Sequence, residues 1–279
     1  MGRPPQRWLP LLNPLHLAAG IARHRHLVLQ LARREIHGRY KGTTLGLLWS
    51  LGTPLVLLAT YTFVFGIVFR ARWPGQASGD LGQFGLVLFC GLVAFGIFSE
   101  LVGRAPSLVL GVPNYVKKVV FPLEVLPVSA LLAALFHATI GLGVIVAAEI
   151  VTGRGAHPTW LLLPVVIVPI ACLSLGIAWA LSALGVFVRD LQPSVALVLQ
   201  VLFFMTPIFY PLQAVPAAVR PVIAWNPLAT LVEQVRQVAV FGEVPPLGSL
   251  ATSWGVALVV MQFGYAVFMR SKRAFADVM

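Results

Sequence analysis

Charged residues are scarce in this sequence: they make up 10% of its 279 positions, whereas 58% are hydrophobic. Soluble domains carry about 25% charged and about 45–50% apolar residues, so this chain lacks the polar surface that a water-soluble fold needs. Apolar runs of about 18 residues or more, the length that crosses a hydrocarbon core as a helix, recur along it. The composition therefore predicts an integral membrane protein.

Cysteine and the common catalytic motifs are also sparse. The two cysteines, Cys90 and Cys172, lie in separate apolar segments, which indicates packing residues and not a disulfide. The segment 38–44 has glycines and a lysine but lacks the spacing of a Walker phosphate loop. The chain contains no H-E-x-x-H, C-x-x-C or G-x-S-x-G motif. We expect no catalytic residue, no metal site and no cofactor on this chain.

Acidic residues number nine against 20 lysines and arginines. Glu100 is expected near the end of its span, where it can reach the interface or pair with Arg104. His137 is the one histidine expected inside a span, and a hydrogen bond to a neighbouring helix explains it better than metal binding. An acid at the bilayer midplane is not evident, which argues against an ion-coupled secondary transporter without excluding it.

The apolar runs predict six transmembrane helices within a single domain, residues 1–279. The predicted fifth span is the shortest and ends at a Met-Thr-Pro sequence, which favours a kink or a continuation into the loop. The six predicted spans are residues 46–69, 84–102, 125–151, 160–188, 195–210 and 250–269.

The basic residues divide unequally between the two sides of these spans. With both termini inside, 15 lysines and arginines fall on the inner side and 5 on the outer side. Inner loops carry the excess of positive charge in membrane proteins, so both termini are predicted to be cytoplasmic. The net charge of +11 follows from this distribution and does not indicate nucleic-acid binding.

The N-terminal region, residues 1–45, is basic and is predicted to contain an amphipathic helix. Asn13 and Pro14 are a suitable cap and first helical residue, and the segment up to Arg39 is rich in Leu, Ala, Arg and His. Such a helix would lie along the membrane surface. The alternative is a cytosolic tail that merely obeys the charge rule.

Two loops are unusual. The predicted cytoplasmic loop, 103–122, contains a basic and aromatic segment. The predicted outside loop, 211–249, is long and apolar, with two apolar pieces (215–225 and 228–241) separated by Asn226 and Pro227. Two short re-entrant helices packed on protein would explain it, and the alternative is a small extracellular cap.

Five motifs occur in order along the chain. They are RREIHGRYK (33–41) running into LGLLW (45–49) and Pro54, NYVKKVVFPLEVLP (114–127), Arg189-Asp190, PIFYP (207–211), and WNP (225–227) followed by Arg236. In this pattern the chain resembles type-2 ABC exporter permeases of polysaccharides, in particular those of the O-antigen and teichoic-acid branches.

The resemblance implies a homodimer in a bacterial cytoplasmic (inner) membrane, paired with a separate dimeric ATPase that would hold the ATP and magnesium. The loop between the second and third spans of this chain would form the coupling helix, which docks into a groove on that ATPase. Its basic and aromatic side chains suit a docking role. The coupling residues would be Asn114, Tyr115, Lys117, Lys118, Phe121 and Pro122.

The same resemblance implies a lipid-linked glycan as cargo. The N-terminal helix would receive its diphosphate, because guanidinium groups suit phosphate, through Arg33, Arg34, Arg39 and Lys41. Among the aromatic residues, Tyr61 and Tyr210 are predicted to line the translocation path. The outside gate would comprise Pro207, Pro211, Trp225, Asn226 and Pro227.

Three alternatives stay open: an ABC exporter of drugs or small lipids, a membrane-embedded lipid-processing enzyme or ATP-independent lipid flippase, and a secondary transporter.

The small residues Ala130, Ala134 and Ala138 share one face of the third span and predict close helix packing.

Overall fold

The chain is mostly helical in the part that the computed structural model describes, residues 14–42, 44–46, 48–69, 73, 81–117 and 121–278. The helices are α1 (Pro14–Arg23), α2 (Arg25–Tyr40), α3 (Leu48–Tyr61), α4 (Leu81–Leu108), α5 (Pro113–Lys117), α6 (Val125–Val151), α7 (Leu163–Phe187), α8 (Leu191–Met205), α9 (Arg220–Ala224), α10 (Pro227–Arg236), α11 (Leu247–Ser271) and α12 (Phe275–Val278). A π-helix, Thr62–Val68, continues α3, and another, Gln237–Phe241, continues α10. Short 3-10 segments precede α7 (Pro158–Leu162) and α12 (Lys272–Ala274).

Five of these helical segments are long and apolar enough to cross a membrane: Leu48–Val68, Leu81–Leu108, Val125–Val151, Pro158–Phe187 and Leu247–Ala274. The predicted fifth span differs, because α8 has only 15 residues and ends at Met205. At about 1.5 Å per residue this helix is shorter than a hydrocarbon core of about 30 Å. Residues 206–211 continue it as non-helical chain, with the interruption at the Thr-Pro sequence.

The core forms where α7 packs between α4 and α11. Gly176 of α7 faces Gly264 of α11 so closely that a Cβ atom on either residue would overlap the backbone of the other helix. On the other side, the hydroxyl of Ser182 donates a hydrogen bond to the carbonyl of Ala105 at 2.8 Å. Small residues thus bring the three helices together, the usual device in membrane proteins.

Two helices, α3 and α8, are poorly buried and apolar on their outer faces. Only 6% of the residues in the most apolar stretch of α3 and its π-helix are buried. In α8, Val195 is the single buried residue. Such surfaces suit a hydrocarbon solvent and would aggregate in water. This agrees with the all-α membrane fold that the composition predicted.

The N-terminal segment forms two helices and not one, with the break at His24. The predicted cap, Asn13, lies outside the described residues. Helix α2 packs against α6 with Val28 and Ala32 buried at its contact face. The basic helix is therefore attached to the transmembrane bundle by its own apolar stripe.

The two unusual loops are both partly helical. Helix α4 extends to Leu108, which converts the first residues of the predicted loop 103–122 into helix and leaves a short α5. In the predicted loop 211–249 the second apolar piece is helical as expected, whereas the first is helical only at Arg220–Ala224. Its remaining residues form turns, since prolines at 211, 216 and 221 lack the amide hydrogens that a longer helix needs.

Candidate functional site

Two reciprocal ion pairs join the basic helix α2 to the span α4. The guanidinium of Arg39 donates to the carboxylate of Glu100 at 2.8 Å, and Arg104 pairs with Glu35. Each helix contributes one acid and one base four residues apart, which places both on the same face. The expectation that Glu100 would pair with Arg104 is wrong, because α2 supplies a partner for each of them.

His137 of α6 completes this cluster. Its Nδ1 lies 2.9 Å from a carboxylate oxygen of Glu100. An ionised carboxylate only accepts, so Nδ1 carries the hydrogen, and the 3.3 Å approach of Arg39 to the same nitrogen is then not a hydrogen bond. Within the described part of the chain, the buried Nε2 of His137 has no hydrogen-bond partner. The expected bond from His137 to a neighbouring helix is confirmed.

A cavity of about 420 Å³ lies between α2, α4 and α6 at these ion pairs. An adjoining apolar slot of about 190 Å³ extends between α3, α4 and α6. Arg39, Glu100 and His137 line both spaces. The charged walls of the cavity are Arg34, Glu35, Arg39, Glu100, Arg104 and His137, and the slot is walled mainly by Trp49, Leu57, Phe89, Ile97, Ala138 and Gly141.

The structure brings together only two of the four residues predicted to bind a diphosphate. Arg34 and Arg39 line the cavity, whereas Arg33 and Lys41 are exposed outside it. The third arginine of the cavity, Arg104, was considered from the sequence as an inner charge and a possible partner of Glu100, not as a binding residue. The opposite signs at positions 35 and 39, and at 100 and 104, were the signal that could have identified the pairing.

The predicted coupling residues lie on and after α5. Asn114 is exposed, and the ring of Tyr115 stacks on that of Phe121 at 4.4 Å and 13°. Pro122 follows and is half-buried. The side chain of Lys117 and all of Lys118 lie outside the described part. The stack holds α5 against the chain at Phe121.

The end of this loop is tied to two other helices through Glu124. The backbone carbonyl of Glu124 accepts a hydrogen bond from the indole of Trp179 at 3.0 Å. Its carboxylate accepts from Lys272, beyond α11, at 2.6 Å. The ring of Phe275 is fully buried nearby, against Phe187 and Phe268. The loop is thus connected to the C-terminal half of α7 and to the residues that follow α11.

At the other end of the bundle, Asn226 links the start of α10 to the chain beside Pro207. Its side-chain oxygen accepts from the backbone N–H of Leu228 at 3.0 Å and caps α10, with Pro227 at the first helical position. Its side-chain nitrogen donates to the hydroxyl of Thr206 at 3.0 Å, next to Pro207. Trp225 is 88% exposed, and Pro211 is half-buried.

Arg236 at the end of α10 is fully buried. In the sequence it was part of the WNP motif and one of the outside charges, and its burial was not predicted. Its guanidinium donates to the carbonyls of Val87 at 3.3 Å and Pro207 at 3.1 Å, and to the carboxylate of Glu233 at 2.5 Å. It also lies 4.3 Å from the centre of the Trp73 ring, in cation–π geometry. One side chain therefore joins α10, α4 and the chain after α8.

The two predicted path tyrosines lie in different surroundings. Tyr61 belongs to an aromatic cluster, with ring centroids 5.6 Å from Phe209 and 6.2 Å from Phe65. Tyr210 packs on the small apolar group of Val215, Ile223 and Ala229, and its hydroxyl donates to the carbonyl of Phe204 at 2.8 Å. The cluster continues through Phe203 to Phe95.

Comparison with known proteins relates this architecture to a transporter family. The family model of the ABC-2 type transporter matches residues 26–240. The chain is 28% identical over 267 residues to an O-antigen export system permease protein RfbA of Myxococcus xanthus, covering 94% of this chain and 99% of that protein.

Two further relatives extend this similarity. An RfbA permease of Klebsiella pneumoniae is 27% identical, with coverage of 91% of this chain and 95% of that protein. The polysialic acid transport protein KpsM of Escherichia coli is 26% identical, with coverage of 86% and 92%. The family match includes nearly all of α2, the charged cavity, the predicted coupling loop and the predicted gate residues, and the chain belongs to the ABC-2 type transporter family.

Proposed function

We propose that this chain is the transmembrane subunit of an ATP-driven exporter that moves lipid-linked polysaccharide across the bacterial cytoplasmic (inner) membrane. The observation that carries the proposal is similarity over nearly the whole chain to O-antigen export permeases, with a polysialic acid transport protein among the relatives. The chain itself is a permease and not an enzyme. Both termini are cytoplasmic, as the distribution of basic residues favours.

The proposed complex contains two copies of this chain and two copies of a nucleotide-binding subunit, which holds the ATP and magnesium. The coupling surface is formed by Asn114, Tyr115, Lys117, Lys118, Phe121 and Pro122. The stacked rings of Tyr115 and Phe121 support this role, since rigid aromatic groups are favourable anchors for a partner. The bonds of Glu124 to Trp179 and Lys272 offer a route from that surface to α7 and α11.

The proposed entry site for the lipid diphosphate is on α2, with Arg33, Arg34, Arg39 and Lys41 as its basic residues. The position of Arg34 and Arg39 in one cavity supports it. Tyr61 and Tyr210 contribute to the path. The hydrogen bond between Asn226 and Thr206 supports a gate in which Pro207, Pro211, Trp225, Asn226 and Pro227 move together.

Co-purification with the ATPase subunit tests this function. The chain, tagged and co-expressed with its ATPase, is isolated from membranes as wild type, as Phe121→Ala and as Phe136→Ala, a matched control on the exposed face of α6. We expect the wild type and the control to retain the ATPase, and Phe121→Ala to weaken its retention about tenfold or more. Surface glycan, measured with antibody on intact cells, should fall in parallel.

Two other results would contradict the proposal. Lipid scrambling by the purified chain without any bound ATPase would indicate the flippase. A complex whose ATPase activity rises with small drugs or single lipids, and not with glycan lipid, would indicate the other class of ABC exporter.

A further inference from the structure

The charged cavity between α2, α4 and α6 holds more positive charge than its acids neutralise. Arg39 is paired with Glu100, and Arg104 with Glu35. Arg34 also lines the cavity and has no ion-pair partner among the described residues. A guanidinium presents several donors in a fixed fork that matches both carboxylate and phosphate oxygens. The cavity is therefore suited to an anion that brings its own oxygen atoms.

The apolar slot beside this cavity restricts what that anion can be. Arg39, Glu100 and His137 line both spaces, so a ligand in the cavity lies next to the opening of the slot. The slot volume of about 190 Å³ is below the roughly 300–1,000 Å³ of a pocket that encloses a drug-sized ligand. It has room for the first part of one hydrocarbon chain. The two spaces together fit a single-chain lipid that carries phosphate.

The space for the chain depends on small residues. Ala134, Ala138 and Gly141 of α6 and Gly96 of α4 line the slot. A Cβ atom on Gly96 would meet nothing within 4 Å, so this position is open towards free space. The small residues Ala130, Ala134 and Ala138 were expected to give close helix packing. Two of them, Ala134 and Ala138, also line the slot.

We propose that this cavity and slot form a binding site for the phosphate headgroup and proximal chain of a single-chain lipid phosphate, and that Glu100 occupies the phosphate position on Arg39 when the lipid is absent. The inference rests on the proposed function and specifies the ligand and the competitor at its entry site. The ligand phosphate replaces the Glu100 carboxylate on Arg39, and Arg34 and Arg104 supply further positive charge.

The geometry of Arg39 and Glu100 permits this exchange. The side chain of Arg39 is 55% exposed and that of Glu100 is 20% exposed, so the pair is accessible from outside the protein. When Arg39 turns to the phosphate, Glu100 keeps the hydrogen bond from Nδ1 of His137. Neither carboxylate nor guanidinium is left without a partner at any stage, which avoids the cost of an unpaired charge.

The competition predicts that removal of an acid strengthens the binding of an anion. Glu100→Gln keeps the size of the side chain but leaves Arg39 free for phosphate. We expect the purified protein in nanodiscs to bind an isoprenoid diphosphate, the probe, about threefold to tenfold more tightly in this variant. Arg39→Gln should weaken binding. Glu243→Gln, an exposed acid outside the cavity, is the charge-matched control and should leave binding unchanged.

The slot is tested separately with a pair of glycine variants. Gly96→Leu should fill the slot and weaken binding of the isoprenoid diphosphate while leaving inorganic diphosphate unaffected. Gly143→Leu is the matched control, since Gly143 is exposed on α6 and a Cβ atom there also meets nothing within 4 Å. Thermal unfolding of each variant identifies any loss of folded protein.

Several outcomes would overturn the inference. Weaker or unchanged binding in folded Glu100→Gln would show that Glu100 does not compete. Equal binding of inorganic diphosphate and the isoprenoid diphosphate would exclude the slot, and equal displacement by phosphatidylglycerol would indicate a site for bulk anionic lipid. These measurements need no ATPase, so their failure is distinguishable from failure of the proposed export function.

Discussion

Arginine serves the two ends of the bundle in different ways. Arg39, in the cavity between α2, α4 and α6, is half-exposed and pairs with the carboxylate of Glu100, which also accepts a hydrogen bond from His137. Arg236, next to the predicted gate residues, has no exposed surface and, besides its ion pair with Glu233, donates to backbone carbonyls on two separate segments. A carboxylate can be exchanged for another anion, but a backbone carbonyl cannot leave. The comparison indicates an exchangeable contact at Arg39 and a fixed one at Arg236.

The largest effect is expected from removing the fixed contact. Arg236→Met keeps much of the side-chain volume but leaves the carbonyl of Pro207 without this donor and the carboxylate of Glu233 without its ion pair. The carbonyl of Val87 loses its second donor and keeps its partner within α4. Each unsatisfied buried group costs about 1–3 kcal/mol, so we expect a loss of about 3 kcal/mol or more in the free energy of unfolding. Denaturation in mixed detergent micelles measures it. Arg39→Met is the comparison, with an expected loss of about 1 kcal/mol or less, and equal losses would refute the distinction.

A smaller loss of stability is expected when the space around the guanidinium of Arg236 is reduced. A Cβ atom on Gly91 would lie 2.8 Å from Nη2 of Arg236 and 3.3 Å from a side-chain carbon of Ile208. Gly91→Ala should therefore displace the guanidinium and cost about 1–3 kcal/mol, the usual range for overpacking. Gly96→Ala, on the same helix but facing free space, is its control and should cause no loss. Unchanged stability in Gly91→Ala would mean that Arg236 tolerates movement.

The smallest effect concerns the exchangeable contact itself. A double-mutant cycle with Arg39→Gln and Glu100→Gln measures the coupling energy of the pair from unfolding free energies. Because the pair is partly exposed, we expect about 0.2–1 kcal/mol, decreasing as salt is added. A coupling of several kcal/mol that salt does not change would indicate a dry, permanent pair. That result would remove the difference between the two ends of the bundle.

Much of the fold was predictable from local patterns. Each long apolar run marks a span, because the hydrocarbon core sets one minimum length for every helix that crosses it. Asn226 and Pro227 are a local helix start, and the structure confirms both the cap and the helix after it. The resemblance identified the family from motifs that lie within single segments, and comparison with known proteins confirmed it.

The charged site was only partly predictable. Arg34 and Arg39 follow from the basic composition of one helix, but Glu100 and Arg104 lie more than 60 residues further along the chain. Their partners depend on where α2 packs. The coupling residues, the path tyrosines and the role of the gate remain predictions, since they concern partners and motions outside a single chain.

The sequence by itself determined the membrane environment, the positions of the five long spans and the start of α10, because hydrophobic length and capping act within a few turns of one helix. Only the tertiary structure decided which charges meet and which are enclosed. Arg39 and Arg236 are indistinguishable as arginines near the ends of helical segments. Burial and the nature of the acceptor separate them, and both are set by segments distant in the chain.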